Sequence, residues 1–389
     1  MSQRADLSLL ADALGARAAT EAGAERRKVI VLGLFPPPID GQRIVTQRMF
    51  DEIATQTTAI RRELDRFPRL GLLSKPLSAI AAALLLPAAR LAGFSAVYLA
   101  PHSGIGLLYS SFLAATSRLL GYMLYVHYHS YRNMERYSPL MALFLTLCGR
   151  RAVHIVLAPP MERGLRRFYR AVERVEVVSN SVFVPPDQCV RDFAGRRIRV
   201  GHLSNLSREK GIESVLECLR RLRQERLEVE FVLAGPATDA FTEGLIRAAS
   251  GEFGSYFRYL GPLRQAEVHN FYRSIDVFLF PTRYEHEAEP LVVIDAVSLG
   301  VPVIATDRGC IGYLLDATGG RAFPAEQFVP RAVAQLAAWV RDRADLAATS
   351  ACAMTRFREL HQASQSRLGL LLSRILLPDA AAARPNGGD

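Results

Sequence analysis

At 389 residues, half of them hydrophobic and 22% charged, the chain has the composition of a globular protein and enough length for two cores. It carries 48 Lys and Arg against 38 Asp and Glu, a formal charge of +10 that suits an acidic partner: nucleic acid, anionic lipid or a phosphorylated substrate. No helix-turn-helix, zinc-finger or RNA-binding sheet signature accompanies the charge, which sets nucleic acid aside, and Cys148, Cys189, Cys218, Cys310 and Cys352 show neither metal-ligand spacing nor an even count, which favours a reducing compartment over a disulfide framework.

Residues 1–27 read as an N-terminal extension, Ala-rich, of mixed charge and without the apolar core of a secretory signal. A first buried strand is expected over Lys28–Leu34, followed by the loop FPPPIDGQ and a helix over about Arg43–Ala54. Leu70–Gly93 is apolar enough to suggest a membrane span, but Lys75, Pro76, Pro87 and Arg90 interrupt it. The run between the prolines is short for a bilayer, so a buried or surface-lying helix is expected. Further strands are expected at Ala96–Ala100, Tyr122–His127, 152–158 and 175–178. In Met161–Val175, Arg163, Arg166, Arg167, Arg170 and Arg174 recur at helical spacing, which reads either as a face for anionic lipid or as a solvated helix face.

Residues 181–196 carry two prolines and no period, as a linker does, and the strand and helix alternation then restarts. Strands are expected at about Ile198–Leu203, Glu228–Ala234, Tyr256–Leu260, Val277–Phe280 and Val301–Ala305, and a final helix over about Ala351–Leu376. The pattern implies two α/β halves, each a doubly wound parallel sheet, with ligands in the crevice between them. The expected domains are 28–188, completed by the helix at about 355–376, and 189–354, with a tail over 377–389.

Residues Phe278–Gly309 carry the densest signal. A short apolar strand ends at Pro281, a loop with Glu285, Glu287 and Glu289 follows, then the helix Leu291–Leu299, stopped by Gly300 and Pro302, then a second buried strand. Glu287 and Asp295 are separated by seven residues, and GVPVIA follows from Gly300. This stretch resembles the donor-sugar motif of the retaining glycosyltransferases of family 4, which have the GT-B fold. In that motif the second acid is usually Glu; here it is Asp295. GHLSNLSREKG, from Gly201, resembles the same family's phosphate-gripping loop, with Lys210 at the Lys position and Asn205 where the Arg usually stands; Arg208 is near in sequence but not equivalent. FPPPIDGQ resembles the Gly-rich loop before the first helix, with Gly41 alone in place of two glycines. His127-Tyr128-His129-Ser130 resembles the family's His turn, with His129 the candidate beside the donor sugar and His127 the runner-up. A metal at His127 and His129 finds no further ligand at suitable spacing.

The resemblance spans about residues 28–375 and implies a metal-independent, retaining hexosyltransferase without a cofactor beyond its nucleotide-diphosphate sugar. It implies His129, Glu287 and Lys210 as catalytic residues. Gly41, Asn205, Arg208, Lys210, Glu287, Ala288, Glu289, Pro290, Leu291 and Asp295 are implied as the donor site. The expected acceptor is a glycan or lipid-linked molecule, and the expected location is cytoplasmic, peripheral at the inner membrane face through contact with anionic lipid. A sugar-nucleotide epimerase, a phosphorylase and a non-catalytic subunit of the same fold remain the alternatives.

Overall fold

A computed structural model describes residues 26–187, 191–193 and 197–378; most of the expected N-terminal extension, the end of the tail and Cys189 lie outside the described residues. The chain divides into two compact units, after Phe183 and again after Gln362.

The first unit runs β1 (Lys28–Gly33), α1 (Gly41–Ala54), β2 (Ala59–Glu63), α2 (Ser74–Leu91), β3 (Phe94–Leu99), α3 (Leu107–Leu119), β4 (Met123–His127), α4 (Arg132–Glu135), α5 (Pro139–Cys148), β5 (Val153–Val156), α6 (Pro159–Phe168) and β6 (Arg174–Val177). The second runs β7 (Ile198–Leu203), α7 (Ile212–Gln224), β8 (Val229–Ala234), α8 (Ala240–Phe253), β9 (Phe257–Tyr259), α9 (Gln265–Ser274), β10 (Val277–Phe280), α10 (Leu291–Ser298), β11 (Val303–Thr306), α11 (Ile311–Thr318), β12 (Arg321–Phe323) and α12 (Phe328–Arg341). The last helix, α13 (Arg343–Leu376), begins in the second unit and ends in the first.

Each unit holds one parallel six-stranded sheet, in the orders β2-β1-β3-β4-β5-β6 and β12-β11-β10-β7-β8-β9. The central strands are continuous apolar runs because helices cover both sheet faces: Val29–Leu32 and Val277–Phe280 are at most 1% exposed. Right-handed crossovers put α1 on one face of the first sheet, where β1 steps to β2, and put α2, α3, α5 and α6 on the other. The end of α13 closes the first unit: Arg27 N donates to Leu376 O at 2.7 Å, Tyr125 Oη donates to Arg374 O, and the Ser181 and Ser364 hydroxyls meet at 2.9 Å.

The expected strands appear, Ile198–Leu203 and Val277–Phe280 with the expected bounds and the others with shifted ends. The strand expected from Val301 begins at Val303, since Pro302 offers no ladder donor. Strands β2 and β12 and the early start of α13 at Arg343 are additions to the expected set. Helix α2 continues through Pro87 to Leu91, so the prolines do not divide it as the sequence suggested.

Candidate functional site

In the second sheet, β7, β8 and β9 succeed one another in one direction; the chain then returns to place β10 on the other side of β7, with Phe278 beside Gly201. Strand order therefore reverses between β7 and β10, and ligands of open parallel sheets collect at the carboxyl ends of strands at such a point. The loops leaving these two strands carry Lys210 and Glu287. Lys210 Nζ lies 2.5 Å from Glu287 Oε2, with the side chains 21% and 11% exposed. Thr282 Oγ1 donates to the same carboxylate oxygen at 3.1 Å, and the ammonium stands 4.5 Å from the centre of the Tyr284 ring.

Two glycines let these loops touch. Gly211 has φ +82°, and a Cβ there would sit 2.2 Å from the Pro281 carbonyl oxygen. Gly309 has φ +62°, and its Cβ would sit 2.2 Å from the Glu287 carbonyl oxygen. Backbone bonds zip the contacts shut: Arg283 N donates to Glu209 O at 2.6 Å and Cys310 N to Ala288 O at 2.8 Å. Ala288, Glu289 and Pro290 are buried at the entry to α10. Pro290 has no amide hydrogen, so only positions 288, 289 and 291 of that run can offer a backbone donor to an anion.

Asp295 is half-buried on α10. Its charge adds to the effect of burial in holding the Tyr272 phenol well above its ordinary range, so the carboxylate lies near that ring. Tyr272 Oη donates to Val292 O at 2.8 Å, which ties α10 to α9. Arg208 points elsewhere: its guanidinium lies 3.8 Å from the centre of the Phe241 ring and 3.9 Å from the Glu213 carboxylate. Asn205 is exposed.

The first sheet reverses between β1 and β3. There the loops after β1, β3 and β4 enclose a cavity of about 20 Å³, room for about one water, lined by Gln42, His102, Ser103, Tyr128, His129, Ser130 and Asn133 among others. Asp40 caps α1, accepting from Arg43 N at 2.9 Å and Arg43 Nε at 3.0 Å. Gly41 follows; a Cβ there would meet nothing within 4 Å, so the protein's own packing does not require the glycine. The two candidate histidines differ. His127 ends β4, with Nδ1 hydrogen-bonded to Tyr98 Oη inside the sheet. His129 lines the cavity and His127 does not; the buried Nε2 of each has no hydrogen-bond partner among the described residues. The same holds for His102 Nε2, which the sequence reading did not single out; the signal was PHSG directly after an apolar strand. Burial lowers His129 to about 3 and His102 to about 4, so both are neutral at pH 7. Among the described residues no three His, Cys, Asp or Glu side chains gather in metal-binding arrangement.

Residues 197–342 match the family model described as "Glycosyl transferases group 1". The lipopolysaccharide core biosynthesis mannosyltransferase LpsB of Rhizobium meliloti is 30% identical over 164 residues, 40% of this chain and 45% of that protein. The matched stretch spans less than half the length of each curated relative. Among solved structures, the sucrose-phosphate synthase of Thermosynechococcus elongatus superposes with TM-score 0.69 at 16% identity, over 90% of this chain and 99% of that one. Anabaena Alr3699/HepE in complex with UDP-glucose gives 0.63 at 16% identity, over 89% and 99%. Two parallel α/β units and these neighbours define the two-domain GT-B fold.

Two outcomes follow from this geometry. Gly211→Ala forces both an unfavourable backbone and a clash with Pro281, and is expected to cost about 2 kcal/mol or more in urea unfolding. Gly121→Ala, also at positive φ but in open space, carries only the backbone cost and is expected to lose less, and equal losses would contradict the close-contact account. Burial also lowers His154 and His202 to about 4. Below pH 6.5 the unfolded chain therefore binds protons that the folded chain refuses, so stability is full above pH 6.5 and falls as pH drops toward 4. Each such histidine contributes up to about 1.4 kcal/mol per pH unit in that window. An unfolding free energy that stays flat from pH 7 to pH 4.5 would contradict it.

Proposed function

We propose that the chain is a glycosyltransferase that moves a hexose-type sugar, with retention of configuration, from a nucleoside diphosphate sugar to a glycan, lipid-linked or other acceptor. The observation that carries this reading is the Lys210–Glu287 pair at the strand reversal of the second sheet, inside the segment that matches the group 1 family. A relative named for lipopolysaccharide core synthesis and a structural neighbour solved with UDP-glucose support a donor of this class and a role in bacterial polysaccharide or glycoconjugate synthesis.

In this reading the diphosphate displaces Glu287 as the partner of Lys210. The ammonium, with the backbone donors at the start of α10, then stabilises the charge that develops as the sugar leaves. Glu287, freed from the ion pair, accepts from the sugar hydroxyls. Asp295 accepts from the ribose. These charges suffice without a metal. His129, neutral at pH 7, offers a hydrogen bond rather than a cation to the sugar or acceptor. Gly41 leaves room for a ligand against the α1 N-terminus. Asn205 and Arg208 stand at the rim of the Lys210 loop. Cys148, Cys218, Cys310 and Cys352 are free thiols, which supports a cytoplasmic location, with peripheral contact at the inner face of the membrane.

One observation favours a second reading. With Asn205 in place of an arginine and Arg208 turned to Phe241, Lys210 is the one matched cation of the phosphate grip. A non-catalytic subunit of the same fold would tolerate that. Thermal melting in the presence of UDP, GDP, ADP, CMP and their sugars, followed by transfer and hydrolysis assays with the stabilising donor, separates the readings. A donor consumed with no sugar released or transferred identifies an epimerase; no stabilisation by any nucleotide overturns the proposal.

Asp295→Ala is expected to weaken nucleoside diphosphate binding about tenfold to a hundredfold by calorimetry, because charged hydrogen bonds are worth about 1.5–3 kcal/mol. Unchanged affinity in both Asp295→Ala and Asp295→Glu removes Asp295 from the donor site. His129→Ala is expected to lower turnover far more than donor affinity. If His127→Ala abolishes turnover while His129→Ala does not, the assignment of the histidine is wrong.

A further inference from the structure

Helix α2 is built inside out. The side facing its own unit is mostly small: Ser74, Ser78, Ala79, Ala82, Ala83 and Ala89 are buried, with Leu86 the one large residue among them. The solvent side is large and apolar. Leu73, Leu77, Ile80, Leu84 and Leu91 fall at intervals of four, three, four and seven residues, one stripe along the helix, and Leu84 and Leu91 are 76% and 92% exposed. A monomer that buries alanine and exposes leucine along one helix has the larger residues facing a partner surface.

The stripe is not alone. Helix α3 packs between α2 and α5 in the layer on this face of the first sheet. It exposes Leu108, Phe112 and Leu119, again one stripe of heptad spacing. Ile105, just before it, is 76% exposed, and Leu143 on α5 is 47% exposed. Two neighbouring helices thus present apolar rows on their outer sides, and α5 adds Leu143 beside them.

Charge decides the occupant. Between Asp65 and Glu135 the sequence contains no Asp or Glu, yet it contains Arg66, Arg69, Lys75, Arg90 and Arg118, all exposed. A protein partner would present a mixture of charges, whereas an anionic bilayer offers hydrocarbon beneath a negative layer, matching long basic side chains around leucines. Gly71–Leu91 has the length and mean hydropathy, 1.6, of a transmembrane segment. It cannot cross, because β2 and β3 hold its two ends to one sheet and its inner side packs on the fold. The basic helix α6 is less suited to insertion, since Met161 and Leu165 are already buried in the unit and only Phe168 among its large apolar residues stays partly exposed.

We infer that the outer face of α2, α3 and α5 is a docking surface for an anionic lipid bilayer, with α2 lying in the interface plane. The inference deepens the peripheral membrane contact proposed above and rests on that part of the reading, not on sugar transfer. It also sets the orientation of the first unit. The start of α3 lies at the cavity, which Leu107 lines and where Ser110 Oγ accepts from His102 N at 3.0 Å, so a docked membrane lies beside the His129 loop.

The test is sedimentation of the full chain with vesicles of phosphatidylglycerol and phosphatidylcholine, and with phosphatidylcholine alone. Binding is expected to the anionic vesicles and to be much weaker to the neutral ones. Leu77→Glu with Leu84→Glu places charges where hydrocarbon is expected and should lower the bound fraction at least about tenfold, without lowering the melting temperature. Arg166→Glu with Arg167→Glu on α6 should leave binding within about twofold. Leu84→Trp gives a reading that needs no loss of function, because the single native Trp339 is fully buried: the emission of the introduced indole should shift to the blue when anionic vesicles are added. The inference is overturned if the wild-type chain ignores anionic vesicles, if the α2 double variant binds like wild type, or if the emission of the Leu84→Trp variant stays unchanged. It is equally overturned if the double variant instead dissolves a concentration-dependent dimer of a chain that does not bind lipid.

Discussion

The second unit depends on a contact that leaves no space for a β-carbon. The backbone at Gly211 lies against the Pro281 carbonyl, and Gly309 lies against the Glu287 carbonyl. Three loops from the carboxyl ends of β7, β10 and β11 are thereby locked edge to edge. Only because they touch does the Lys210 ammonium reach the Glu287 carboxylate, with Thr282 donating to the same oxygen. The pair is partly desolvated, and each member gains from a ligand that supplies a better partner. A sugar diphosphate supplies both at once, anionic oxygens for the ammonium and hydroxyl donors for the carboxylate.

The first unit repeats the topology with different chemistry. Its strand reversal also gathers loops at the carboxyl edge, but there the polar groups are neutral histidines held in a small cavity. Burial strips His102 and His129 of their charge, so at this edge the two imidazoles can offer hydrogen bonds but no cation. The charge on the unit is displaced to its outer helical layer, where basic side chains border rows of exposed leucine. Charge, neutrality and apolarity are thus separated over the molecule: an ion-paired lysine at the carboxyl edge of the second sheet, neutral histidines at the His129 loop, and exposed leucines among basic side chains on the outer helices of the first unit.

Much of this was legible in the sequence, for physical reasons. Central strands of a parallel sheet are apolar on both faces, so Ile198–Leu203 and Val277–Phe280 declared themselves with their observed bounds. Lys210 and Glu287 were legible because strand, loop and helix signals fixed which end of the sheet they occupy. Their direct pairing was not, since it depends on loop contacts made across 77 positions of chain. The edge strand β2, with the sequence AIRRE, gave no apolar run because only β1 pairs with it and its residues stay partly exposed. His102 was overlooked because a lone His after a strand carries little signal until folding turns its unpaired nitrogen toward the cavity. The contact of Arg208 with the Phe241 ring, 33 residues on, was not legible either, because no local signal joins the two. The inverted polarity of α2 could not be read from a sequence in which both of its faces are apolar.

The most direct test of the central claim is a crystal structure of the chain with the nucleoside diphosphate sugar that raises its melting temperature most. Phosphate oxygens are expected within hydrogen-bonding distance of Lys210 Nζ and of the backbone nitrogens at 288, 289 and 291, with the Lys210–Glu287 contact broken and Glu287 turned to the sugar hydroxyls. A nucleotide bound elsewhere, with Lys210 still paired to Glu287, would contradict it.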